Sequence, residues 1–239
     1  WLQMKRDWQL YLFVLLPVVY YVIFHYLPIY GIQIAFKNYK LAVGIEGSPW
    51  VGLKNFNKFF SSYSSWRLIS NTLLLNLYGL IIDFPIPIFI ALMLNRIQSQ
   101  RYKKFTQTVI YIPHFISTVV LVGMLIQLLN PVTGLYGTLY RLFGGVGYPT
   151  APTTVGSNFP HLYVLSGVWQ GFGWSSIIYM AALSGVDPTL YDAAAVDGAG
   201  RFRRVLHVTL PCILPTIIIM FILRVGQFMT VGYDKILLL

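Results

Sequence analysis

Five long stretches of this chain are almost wholly apolar, and short polar or basic segments separate them. They fall at about residues 8–34, 68–94, 105–129, 162–185 and 210–231. A helix that crosses a bilayer needs about 20 mostly apolar residues, so each stretch is long enough to span. Every one also holds Gly, Pro or polar residues, which suits helices packed against each other more than helices facing lipid alone. The pattern therefore predicts an all-α polytopic membrane bundle with five spans, organised as a single domain over residues 1–239. No internal repeat is visible.

Composition agrees. Of 239 residues, 56% are hydrophobic and 10% charged, and mean hydropathy is +0.66. A soluble domain carries about 25% charged residues, so this chain lacks the charge to cover a water-exposed surface. One cysteine, Cys212, excludes a disulfide scaffold and a multi-cysteine metal site. The net charge of +10 is read as membrane anchoring, with no nucleic-acid partner. Nine cations fall on one side: Lys5, Arg6, Arg96, Arg101, Lys103, Lys104, Arg201, Arg203 and Arg204. Six fall on the other: Lys37, Lys40, Lys54, Lys58, Arg67 and Arg141. The positive-inside rule then puts the N-terminus in the cytoplasm. The chain opens on Trp1 and stops at Leu239 within an apolar run. It is expected to be part of a longer product with at least one further span, six in all. No cleavable signal peptide is visible.

The most informative segment lies between the fourth and fifth stretches, at residues 187–215. Asp187 suits a helix N-cap, and Pro188 suits the first helical position, where its missing N–H costs nothing. A short Ala-rich helix through Val196 follows, and Asp197 with Gly198 breaks it. Asp197 is expected to cap a second helix near Ala199. Gly198 and Gly200 supply unusual dihedrals or close approach, and Pro211 and Pro215 kink the entry to the fifth stretch. The result is a compact helix–turn–helix with a surface of small residues: Ala193, Ala194, Ala195, Gly198 and Ala199. Such a surface lets a partner come close, or it serves as a tight connector packed on its own bundle.

This segment resembles the EAA motif of permease subunits of binding-protein-dependent ABC importers. Asp192, Ala193, Ala194, Asp197, Gly198, Ala199, Leu210, Pro211 and Pro215 fall in register with it. Asp192 replaces the usual Glu and Val205 the usual Phe. The resemblance reaches the oligosaccharide branch of the family through Lys5-Arg6-Asp7-Trp8, His25 to Pro28, Gly31 to Gln33, Ser48 to Gly52, Asn71-Thr72, Phe84 to Pro87, Pro113 to Ser117 and Trp169 to Gly171. It implies the type I importer (MetI-like) fold, with residues 187–204 as a cytoplasmic coupling loop. It implies coupling to an ATPase through Tyr191, Asp192, Ala193, Ala194, Asp197, Gly198, Ala199, Arg201 and Phe202. It further implies a second, different permease subunit, two ATP-binding cassette subunits and an extracellular sugar-binding protein. ATP and Mg then sit on the partner ATPases, and this chain binds no cofactor.

In this family the helices before and after the coupling loop line the translocation cavity. The fourth stretch offers Gly and Trp a few residues apart, a floor and a stacking face of the kind sugar rings require; the same residues make an aromatic packing stripe. Comparison with maltose-type permeases, anchored on the EAA motif, places substrate contacts at Gly167, Gly171, Trp174, Arg224, Gln227 and Phe228. Arg224 stands mid-way along the fifth stretch, where a central Arg costs about 2.5 kcal/mol or more on insertion scales. It is read either as a cavity cation for a carboxylated, uronic-acid sugar or as the ion-pair partner of Asp83; the two are compatible. His25, His114, His161 and His207 are scattered, with no metal-ligand spacing. No phosphate-cradling Gly-rich loop exists, so the chain is not expected to hydrolyse ATP, and the resemblance implies a transport subunit without catalytic residues. The alternatives are an intramembrane transferase, which needs a clustered His/Asp/Glu constellation, and a single-chain secondary transporter, which needs inverted repeats.

Overall fold

Proline sets most of the breaks along the chain. The structure is a computed structural model and describes residues 6–239; Lys5 of the basic tail lies outside them. It divides between Ile69 and Ser70 into two compact units.

In the first unit, α1 (Trp8–Tyr21) carries Pro17 in its interior. It runs on through one π-helical turn, Val22–Tyr26, into a 3-10 segment, Leu27–Phe36, which Pro28 opens. No residue of Trp8–Phe36 is buried. The loop that follows is ordered around Lys37, which is 5% exposed. Its ammonium donates to the Ile45 carbonyl at 2.8 Å and lies 4.8 Å from the Trp50 ring centre. Asn55, at the start of α2 (Lys54–Phe60), donates to the carbonyls of Ala35 and Lys37. One of the six cations expected on the outer side is thus held inside a folded loop.

α3 (Tyr63–Asp83) carries the boundary and belongs to the second unit from Ser70 on; with α4 (Pro85–Asn95) it forms one long apolar segment broken at Phe84 by the Pro85 and Pro87 that follow. The third stretch is not one straight helix. Its two halves, α5 (Gln100–Tyr111) with the 3-10 turn Ile112–Phe115, and α6 (Thr118–Leu128), meet at 97°. Pro113 opens the 3-10 turn, Ile116 is extended, and the Ser117 side chain caps α6. The carbonyl of Ile116 is recovered by Gln170, which donates to it at 2.6 Å. After α7 (Leu135–Leu142), α8 (Phe159–Ser184) is 26 residues long, roughly 39 Å at 1.5 Å per residue. α9 (Pro188–Val196) and α10 (Arg201–Arg204) form the finger, a π turn at Val205–Thr209 leads into α11 (Leu210–Gly226), and α12 (Tyr233–Leu238) closes the chain.

Three helices, Trp8–Phe36, Tyr63–Asn95 and Arg201–Gly226, are long and apolar enough to cross a membrane; the bent pair makes a fourth if it acts as one span. α8 has the length but carries Ser166, Gln170, Ser175 and Ser176. The described residues hold no named strand, only two isolated bridges. The core of this unit lies where α4, α8 and α11 meet, around Ala91, Tyr179, Leu183 and Ile213. Gly173 is where α8 touches α5: a Cβ there would lie 2.0 Å from the Ile110 carbonyl oxygen. One expectation shifts. α11 ends at Gly226, so Arg224 stands in its last turn and not mid-span. There the guanidinium faces the negative end of the helix dipole.

Candidate functional site: a coupling finger and a charged cavity

The finger is built by local backbone rules. The Asp187 carboxylate accepts the Thr189 N–H at 2.9 Å, and Pro188 follows it into α9. That hydrogen bond holds the Asp187 carboxyl below its ordinary range. α9 ends in a Schellman turn: Gly198 has φ +72°, its N–H bonds the Ala195 carbonyl, and the Ala199 N–H bonds that of Ala194. Asp197 is therefore the C-cap of the first helix and does not cap the second. The turn uses residues 197–199, and Gly200 precedes α10 without a side-chain cap.

The finger is braced onto α11. Arg204 donates to the Ala199 carbonyl at 2.8 Å, and the Tyr191 and Thr209 hydroxyls lie 3.1 Å apart. Beneath it sits a cavity of about 200 Å³ lined by Asn95, Arg96, Tyr191, Arg204 and Thr209 among others. Of the expected coupling residues, Asp192, Ala193, Asp197, Gly198, Arg201 and Phe202 are exposed. Ala194 and Ala199 are half-buried, and Tyr191 turns inward to Thr209. Val196 and Phe202 are 89% and 76% exposed. Two apolar side chains on a small-residue platform form a surface suited to a protein partner.

The second constellation lies between α3, α8 and α11. Asn76, Gly79 and Asp83 share one face of α3 at i, i+3 and i+7. Asp83 and Arg224 make an ion pair at 3.1 Å, with both side chains partly exposed. Two adjoining chambers meet at this pair, each lined by Asp83, Arg224 and Gln227. One, of about 310 Å³, extends past Phe84, Ser175, Tyr179 and Met220. The other, of about 350 Å³, extends past Asn76, Tyr163, Gly167, Thr230 and Lys235. These volumes lie at the low end of small-ligand sites, about 300–1,000 Å³.

Of the expected substrate residues, Gly167, Arg224 and Gln227 line these chambers, whereas Gly171, Trp174 and Phe228 do not. Trp174 instead stacks on His114, ring centres 4.5 Å apart and planes within 3°. Sequence reasoning missed Lys235, Tyr163 and Asn76. The Lys235 ammonium donates to the Tyr163 carbonyl at 2.7 Å and lies 4.9 Å from its ring centre. The Tyr163 hydroxyl accepts the Gly232 N–H at 3.0 Å, which ties the segment before α12 back onto α8. The signal was a lone Lys in the apolar run after the last span. Burial lowers the Lys235 pKa to about 8, against an opposing pull from Asp83. The described residues hold no group of three or more His, Cys, Asp or Glu placed to bind a metal.

A family model described as "Binding-protein-dependent transport system inner membrane component" matches residues 83–231, which include the finger and the ion pair. The polygalacturonan/rhamnogalacturonan transport system permease protein YteP of Bacillus subtilis (strain 168) is 44% identical over 238 residues, covering 100% of this chain and 74% of that protein. The crystal structure of a bacterial ABC transporter involved in the import of the acidic polysaccharide alginate contains a chain that superposes with TM-score 0.87 at 38% identity, covering 100% of this chain and 79% of that one. A second crystal structure, of a bacterial alginate ABC transporter in complex with an alginate pentasaccharide-bound periplasmic protein, matches with TM-score 0.87.

Proposed function

We propose that this chain, which belongs to the family of inner membrane components of binding-protein-dependent transport systems, is one permease subunit of an ATP-driven importer of carboxylate-bearing oligosaccharides. The observation that carries the reading is Arg224, a partly exposed guanidinium at the junction of two chambers between helices. A cation there stabilises an anionic group that enters the path, and Arg does so bidentately. The relatives named above, with acidic polysaccharides in their descriptions, support the same substrate class.

The path follows from the helices. α11 runs from the finger toward Arg224, and α8 runs in the opposite sense from Tyr163 to Tyr179 and on to the finger. With the finger and the N-terminus in the cytoplasm, the Lys235 chamber faces the outside, where a binding protein delivers sugar. The finger seats on a partner ATPase that holds ATP and Mg, so its closure is transmitted along α11. A second, different permease completes the path.

The test is reconstitution of the complex with its partners and binding protein. Arg224→Gln is expected to cut uptake of a galacturonate trisaccharide by about tenfold or more, since a hydrogen bond to a charged group contributes about 1.5–3 kcal/mol. Uptake of a neutral trisaccharide in wild-type complexes equal to that of the acidic one, or equal loss of both in the variant, overturns the acidic reading.

A further inference from the structure

The Asp83–Arg224 pair lies where the two chambers meet. Three helices order the chambers identically. Along α3, Asn76 precedes Asp83, and Phe84 and Pro87 follow. Along α8, Tyr163 and Gly167 precede Ser175 and Tyr179. Along α11 the order reverses, Met220 before Arg224 and Gln227, with Thr230 and Lys235 beyond. The ion pair thus separates a chamber holding Lys235 from a chamber holding Ser175, Tyr179 and Met220.

The charges in this region do not cancel. Arg224 and Lys235 are cations and Asp83 is the only anion among the chamber-lining residues, which leaves one positive charge. Lys235 has no carboxylate partner; a backbone carbonyl and an aromatic face hold it. A neutral sugar offers Arg224 nothing to replace Asp83, because an abandoned partly buried charge is costly. A substrate carboxylate offers an equal replacement, and Lys235 can then accept the released Asp83.

From this geometry we infer that the Asp83–Arg224 ion pair is a charge-exchange gate selective for carboxylated sugars, with Lys235 as its third member. The incoming carboxylate first meets Lys235 in the outer chamber. It then takes Arg224 while Asp83 turns to Lys235. As the sugar moves into the inner chamber, Asp83 returns to Arg224 and the partition closes behind it. The first exchanges trade one ionic partner for another; in the last, Arg224 regains Asp83 and the substrate carboxylate passes to the hydroxyls of Ser175 and Tyr179 in the inner chamber. Asp83 is a positioning residue, since it touches the cations and never the sugar. The inference rests on the acidic-oligosaccharide reading given above.

The test uses the reconstituted transporter with its partner subunits and binding protein, a galacturonate trisaccharide as probe, and full concentration dependence of uptake. Lys235→Gln is expected to raise KM about tenfold, and Lys235→Arg to restore it, since one charge-assisted contact is lost and regained. Asp83→Asn is expected to lower both KM and the maximal rate, because the carboxylate reaches a free Arg224 easily and leaves it slowly. In the Asp83→Asn background, Lys235→Gln should change KM by clearly less than the factor it causes alone, as one exchange is removed twice. Unchanged KM in Lys235→Gln, or independent effects in the double variant, overturns the gate. Lys235 lies on a short helix beyond the spans, so its variants decide the matter even where Asp83→Asn fails to assemble. Arg224→Gln separates the two claims: if it spares acidic uptake, the substrate reading itself fails, whereas its loss beside a silent Lys235→Gln removes the gate alone.

Discussion

The finger and the cavity are built by opposite means. The finger is a sequence-local object: a capped helix, a left-handed glycine, a Schellman turn and a braced second helix, all between Asp187 and Thr209. The cavity gathers Asp83, Tyr163, Arg224 and Lys235 from helices up to 152 positions apart in the sequence. In the proposed transporter the finger passes force to the helices whatever the cargo, and the cavity, whose charges come from different helices, selects the cargo. Damage to the finger should therefore cost transport of every substrate, and damage to the cavity should depend on the charge of the sugar.

The largest expected effect breaks the finger at Gly198. Its φ of +72° costs an L-residue roughly 1–2 kcal/mol, more with a β-branched side chain. Gly198→Val is expected to reduce uptake of any transported sugar by more than about tenfold. The KM for a galacturonate trisaccharide should stay near wild type. A change in KM as large as the change in rate would show that the two regions are not separable. Gly200, with φ −64° and ψ 167° in the extended region, should tolerate Ala far better.

Next comes pH. The Lys235 ammonium loses its proton as pH rises through about 8, the value to which burial lowers it. About nine-tenths of it is charged at pH 7 and about one-tenth at pH 9. The groups that face it are Asp83 from α3, Tyr163 from α8 and Arg224 from α11, and α6, which packs against α12, brings no ionisable side chain. If Lys235 is the outer station, KM for the acidic sugar rises between pH 7 and 9 in wild type and stays flat in Lys235→Arg. Parallel rises in both proteins would move the titration elsewhere.

What was legible in the sequence follows the same divide. The Asp187 cap, Pro188 and the break at Gly198 came from residue chemistry at known spacing, whereas the pairing of Arg224 with Asp83 was one of two compatible readings, drawn from Asp83 being an acid deep in another apolar stretch. The 97° bend in the third stretch had its signals, Pro113 and the Ser117 cap, but an apolar run hides a turn whose loose carbonyl is satisfied from another helix by Gln170. Asp197 was misplaced by one helix because the glycine after it closes the first helix before a second can start. Lys235 was passed over because its one cue, a lone lysine in an apolar run, does not distinguish a side chain that returns to Tyr163, 72 residues earlier, from one that faces water. Trp174 looked like a stacking platform for sugar, and its face is taken by His114.

A milder change sharpens the finger side. Tyr191→Phe removes one hydroxyl, which lies 3.1 Å from Thr209, and a net hydrogen bond contributes about 0.5–1.5 kcal/mol. The brace between α9 and the start of α11 should loosen without unfolding. The expected result is a few-fold rise in ATP hydrolysed per sugar imported, with substrate KM unmoved. Thr209→Val should reproduce it, and the double variant should add little, since both remove the same bond.

The smallest effect is the most discriminating for the cavity, because it compares two glycines one helical turn apart on α8. A Cβ at Gly167 would lie 3.2 Å from the Lys235 nitrogen, so the ammonium must move by a few tenths of an ångström. A Cβ at Gly171 meets nothing within 4 Å. Both substitutions favour the helix, since Ala exceeds Gly in propensity by about 1 kcal/mol. Stability should therefore hold or rise in each. Gly167→Ala is expected to raise KM for the acidic trisaccharide about two- to threefold, as a displaced ammonium loses part of one charged contact. Gly171→Ala should leave KM unchanged. Equal effects at the two positions would mean that the sugar touches the face of α8 well beyond the Lys235 chamber, and that the outer cation has been given too large a role.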